Sequence, residues 1–103
     1  MKVSWSKNAG NAVVRTSVYI MDKFGLKASE DFLEEVQHVS DLLEGNPYLG
    51  PVEPLLAQKS KQYRSIVLNH LNKIDYYVKG NTIRIAAFWD TRREPKAQAR
   101  KVK

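Results

Sequence analysis

The chain has 103 residues, 43% of them hydrophobic, which suffices for one domain with one core and leaves no room for a second. It contains no cysteine, which excludes disulfides and thiolate metal ligands, so an apolar core must hold it together. Seventeen Lys and Arg against eleven Asp and Glu give a net charge of +6 and a pI near 9.7, which suits an acidic partner, nucleic acid or protein, without selecting either.

Met1 to Ser6 lacks the apolar segment of a signal peptide, and no apolar run approaches the ~20 residues of a membrane span. The expectation is a soluble cytoplasmic protein with no membrane partner. Lys2 to Trp5 alternates, with Val3 and Trp5 on one side, as in a short strand. Ser6 is placed to cap a helix starting near Lys7, along which Ala9, Val13, Thr16, Ile20 and Phe24 recur at helical spacing until Gly25 stops it. Ser29 reads as the cap of a second helix, with Glu30 and Asp31 suited to its N-terminus. Its apolar stripe is Phe32, Val36, Val39 and Leu43, widened by Leu33 and Leu42, and Gly45 and Pro47 end it. So short a connection implies an antiparallel helix hairpin that must bury its stripe on a sheet.

Pro47, Pro51 and Pro54 punctuate a loop from Asn46 to Gln62, with a short extended piece at Leu55 to Ala57. Three strands follow: Tyr63 to Asn69, Lys73 to Val78 and Thr82 to Trp89. Gly80-Asn81 supplies the second turn, since glycine adopts the positive φ that a two-residue hairpin needs. The expected architecture is therefore α+β: a short N-terminal strand, an antiparallel helix hairpin, and a mainly antiparallel sheet ending in a three-strand meander. Residues 1–95 form the single domain, and residues 96–103 a basic tail without an apolar face.

Strict alternation assigns Ile83, Ile85, Ala87 and Trp89 to the helix side of the last strand, and Thr82, Arg84, Ala86 and Phe88 to the open face. In the middle strand Ile74, Tyr76 and Val78 go inward while Lys73, Asp75 and Tyr77 go outward. Arg64 is placed outward, which puts Ile66 and Leu68 on the open face, where a partner peptide or the tail must cover them.

Charge is segregated along the chain. Residues 1–28 sum to +4, residues 29–53 to −7 and residues 54–103 to +9. Such a separation either focuses an anionic ligand on one side or solvates exposed faces. His38 and His70 stand too far apart for a metal motif, and Glu34, Glu35 and Asp41 read as a solvated helix face, so no metal or cofactor is expected.

The ordered set of Val-Ser-Trp-Ser before the first helix, the Gly-x-Pro break, the Tyr63-Arg64 strand, Lys-Ile-x-Tyr-Tyr, the Gly-Asn hairpin and Phe88-Trp89-Asp90-Thr91-Arg92-Arg93-x-Pro resembles the RelE/ParE toxin superfamily. The superfamily belongs to bacterial type II toxin-antitoxin modules, and the resemblance covers nearly the whole chain. It implies a growth-inhibiting toxin held inactive by an antitoxin peptide, with Ile66, Leu68, Tyr77 and Phe88 as its contacts.

Two chemistries occur in that superfamily. RelE-like members resemble ribosome-dependent mRNA endonucleases, and on that reading Arg64, Lys73 and Arg92 stand at catalytic positions. Such cleavage needs a proton acceptor, cations around the phosphate and a proton donor. Here Ile66 replaces the second strand lysine, and no Tyr or His follows Tyr77. ParE-like members, including plasmid-stabilisation proteins, resemble poisons of DNA gyrase that need a binding surface, for which Arg84, Arg92 and Arg93 are the target-binding candidates. A non-toxic nucleic-acid-binding module fits the basic half as well.

Overall fold

The computed structural model describes residues 1–68 and 71–90. Its elements in chain order are β1 (Lys2–Trp5), α1 (Lys7–Phe24), α2 (Leu26–Gly45), a single 3-10 turn (Pro54–Leu56), β2 (Arg64–Leu68), β3 (Asn72–Lys79) and β4 (Thr82–Asp90). The sheet runs β1-β4-β3-β2, with β1 parallel to β4 and the other pairs antiparallel. The α+β architecture expected from the sequence is thus the one observed. Gly80, at φ 58°, closes the β3-β4 hairpin in the left-handed region that a side chain would disfavour.

Ser6 caps α1, its Oγ accepting the Ala9 N–H at 3.0 Å. Ser29 does not cap α2. That helix starts at Leu26, and Ser29 is buried inside it, donating its Oγ–H to the Ser17 carbonyl at 3.0 Å and so tying the two helices together. Phe32, Val36, Val39 and Leu43 of α2 are all buried in the main core, with Ala9 and Val13 of α1 and Ile74, Tyr76, Ile83 and Ile85 of the sheet. Three expected members of the helix stripes are exposed instead: Phe24, at 71%, and Leu33 and Leu42. Phe24 ends α1 at the turn of the hairpin, and Leu33 and Leu42 lie beside the buried row of Phe32, Val36, Val39 and Leu43 and not within it.

The face assignment changes at one position in β4. Asp75 pairs with Ala87 but Tyr76 pairs with Ile85, so Ala86 is an extra residue on β4. A bulge of this kind reverses the side of every residue beyond it. Phe88 therefore enters the main core beneath α2, while Ala87 turns to the other face with Leu56 and Tyr63. In β2, Ile66 pairs with Ile74 and Leu68 with Asn72, so both point toward the helices, opposite to the expectation.

The face away from the helices is not open either. The chain between α2 and β2 folds back across it, joins β2 through the Val52 to Arg64 bridge, and seats Leu56 against Tyr63 and Ala87 in a second, smaller apolar cluster. This segment approaches the sheet so closely that a Cβ on Gly50 would lie 2.5 Å from the Ser65 carbonyl oxygen. Glycine is required there by space, and the Gly50 N–H donates to the buried Tyr76 Oη at 2.9 Å.

Candidate functional site

Arg64 and Lys73, expected on one face, stand on opposite faces of the sheet. Arg64 pairs with Tyr76, whose side chain is in the helix-side core, whereas Lys73 pairs with Val67 on the other side. The Arg64 guanidinium donates to the Gly50 carbonyl at 2.9 Å and lies 5.0 Å from the centre of the Tyr48 ring. Lys73 is ion-paired with the buried Glu53 carboxylate. Arg84 crosses to β1, donating to Ser4 Oγ at 2.7 Å and to the Trp5 carbonyl at 3.4 Å. Arg92 and Arg93 lie outside the described residues, as do His70 and the 96–103 tail.

Of the four residues expected to meet a partner peptide, two are withdrawn from any such contact. Leu68 and Phe88 are 1% and 3% exposed, sealed in the main core by the β2-β3 register and by the Ala86 bulge respectively. Ile66 is half-buried against that core. Tyr77 does project on the face away from the helices, half-buried edge to face against Tyr63, with ring centroids 5.4 Å apart.

Beneath the loop lies a polar cluster that sequence reasoning missed. Ser65 Oγ donates to Asp75 Oδ1 at 2.6 Å, and the Glu53-Lys73 ion pair is close enough for both charges to act on Asp75. Asp75 is fully buried and its Oδ2 has no partner among the described residues. Burial pushes its carboxyl up to about 6; the Ser65 hydrogen bond opposes this, Glu53 adds to it and Lys73 opposes it. Its place opposite Ser65 depends on strand register, so alternation alone marked it as solvent-facing.

A cleft runs between α1 and the end of β4. β1 pairs with β4 only from Thr82 to Ile85, so beyond Ile85 this edge of β4 has no strand beside it among the described residues. Along that edge a cavity of about 630 Å³ is lined by Arg15, Tyr19 and Phe24 of α1, Leu71 of the turn and Trp89 and Asp90 of β4. A smaller one of about 200 Å³ continues it past Ala86, sharing Ala12, Arg15 and Phe88. Tyr19 is 56% exposed, and the buried Trp89 indole N–H has no acceptor among the described residues. The groove thus offers an open strand edge and large apolar side chains together, the combination that receives an extended or amphipathic peptide. The sequence signal for it was Phe24, the last member of a stripe that had no sheet left to cover it.

Among the described residues no group of three or more His, Cys, Asp or Glu side chains is arranged to hold a metal ion. No helix there is long and apolar enough to cross a membrane.

No family model and no curated protein matches the sequence. The fold does have a match. A chain of the solved chromosomal ParDE TA system from P. aeruginosa is similar with a TM-score of 0.72 over 87% of this chain and 95% of that one, at 15% identity. At that identity the likeness is one of fold, and it agrees with the RelE/ParE-like architecture expected from the sequence.

Proposed function

We propose that this chain is the toxin of a bacterial type II toxin-antitoxin module, acting in the cytoplasm in the ParE-like manner by interfering with DNA gyrase. The fold shared with a chain of a ParDE TA system supports the toxin reading. The observation that carries the choice of mechanism is the separation of Arg64 from Lys73 by the thickness of the sheet, with Lys73 held by Glu53. A phosphodiester-cleaving site needs its cations converging on one phosphate, and these two do not converge. A target-binding toxin has no such requirement. Its target contacts are assigned to Arg92 and Arg93 after β4, with Arg84 fixed at the β1 edge. The antitoxin segment is assigned to the groove along Ala86 to Asp90, which immediately precedes those arginines in the sequence.

Pulse incorporation of labelled thymidine and labelled amino acid, minutes after induction of the chain without antitoxin, tests this reading. Early loss of thymidine incorporation alone, relieved in an Arg92→Ala/Arg93→Ala variant, is expected. Early loss of amino-acid incorporation would make the protein a ribosome-dependent mRNA endonuclease instead.

A further inference from the structure

A second cavity, of about 390 Å³, opens at the other end of the sheet, where β2 begins. Pairing between β2 and β3 stops at Arg64 and Tyr76, so Tyr77 to Lys79 have no strand beside them on that side among the described residues. The notch is lined by Tyr48, Lys61, Gln62, Arg64, Tyr77, Val78 and Lys79, and no carboxylate is among them. Two of its cations sit on its two aromatic rings. The Arg64 guanidinium carbon is 5.0 Å from the Tyr48 centroid, and the Lys61 ammonium is 4.8 Å from the Tyr77 centroid. Among the described residues none of Lys61, Arg64 and Lys79 is ion-paired. Its volume lies within the ~300–1,000 Å³ typical of small-ligand clefts.

We propose that this notch binds one nucleotide unit of a single-stranded nucleic acid, with the base against Tyr48 and the phosphate among Lys61, Arg64 and Lys79. Tyr48 is 61% exposed, so much of its ring is open to a second planar group, and the cation already on it strengthens such a stack. Arg64 is held in place by the Gly50 carbonyl through one N–H, which leaves further donors of its planar fork for a phosphate. The amide of Gln62 supplies a donor and an acceptor for a base edge. A duplex is excluded as the ligand because its bases are stacked away from any side-chain ring. An acidic peptide would use the cations but gain nothing from Tyr48. This site shares no lining residue with the antitoxin groove, uses neither Arg92 nor Arg93, and goes beyond the gyrase reading.

The test is fluorescence anisotropy of the full chain with a labelled ten-nucleotide deoxythymidine strand, its ribouridine counterpart, a duplex of the same length and an abasic strand. The basic tail will hold phosphates by itself, so the decisive readout is dependence on Tyr48. Tyr48→Ala, at an exposed position, should weaken binding of the single strand about 5- to 150-fold, as loss of one base-aromatic stack does, and Tyr48→Phe should restore it. Abasic and duplex ligands should be indifferent to either change. Lys61→Ala with Lys79→Ala should flatten the plot of log affinity against log salt by up to about 0.7, the share of the one phosphate that the notch neutralises. The proposal is overturned if Tyr48→Ala binds the single strand as the parent does, if neither strand binds at low salt, or if an oligoglutamate peptide binds more tightly than both. A Tyr48-dependent preference for the DNA or the RNA strand supports it and identifies the source of the ligand.

Discussion

Phe88 of β4 meets Phe32 of α2 edge to face, with ring centroids 5.9 Å apart and planes at 74°. The contact exists because Ala86 is an extra residue in β4, which turns Phe88 under the helices. Phe88→Ala should therefore cost about 3–5 kcal/mol of stability, as for a large aromatic removed from a packed core. Urea denaturation monitored by circular dichroism checks this. A loss below about 0.5 kcal/mol, the level of an exposed surface position, would place Phe88 outside the core.

The Asp75 carboxyl should make the protein less stable as pH rises from acid to neutral. Its unfolded carboxyl ionises near the ordinary 3.8, while in the folded chain burial raises this to about 6. The folded state thus binds the proton more tightly between those values. Stability falls through that window and stays lower above it, by on the order of 2–3 kcal/mol. Thermal midpoints at pH 4.5 and 7.5, for the parent and for Asp75→Asn, measure it. The variant should lose this part of the pH dependence, and an identical profile in both would assign it to other groups.

Gly50 has no room for a side chain. A Cβ there would lie 2.5 Å from the Ser65 carbonyl oxygen and 2.9 Å from Ile66 Cγ1, and β2 is held there on both sides, by the Ser65 N–H donating to the Pro51 carbonyl at 3.0 Å and by its pairing with β3. Gly50→Ala should cost about 1–3 kcal/mol. Tyr76→Phe should cost a similar ~1–3 kcal/mol by leaving the buried Gly50 N–H without its acceptor. The two losses should combine to less than their sum, since both loosen the same contact, and a double-mutant cycle by denaturant titration tests that.

In the α1 groove, Tyr19→Ala with Phe24→Ala should change the thermal midpoint little, because both side chains are largely exposed. On the proposed toxin reading, affinity for the antitoxin, measured by isothermal titration calorimetry, should fall at least tenfold if large aromatic anchors hold the peptide there. Unchanged affinity would place the antitoxin on another surface.

Local physics fixed much of this protein in its sequence. Ser6 before a helical stripe, Phe32 to Leu43 at helical spacing, β-rich runs around Gly80 and the absence of cysteine together define an α+β domain with a helix hairpin on a sheet. Each of these acts over a few residues, through caps, side-chain periodicity and turn conformation. What the sequence could not determine was the register between distant strands. One unpaired residue at Ala86 sends Phe88 inward, and the Ile66 to Ile74 pairing does the same for Ile66 and Leu68. A break in alternation did show, since Ala86-Ala87-Phe88-Trp89 has no polar position, but alternation cannot say where a bulge falls. The candidate sites were less legible still. The Glu53-Lys73-Asp75 cluster, the β4-edge groove and the Tyr48-Arg64 notch each join residues far apart in the chain. Their proximity is set by which strand edges stay open and by where the Pro-punctuated loop crosses the sheet, and only the packed tertiary structure decides that.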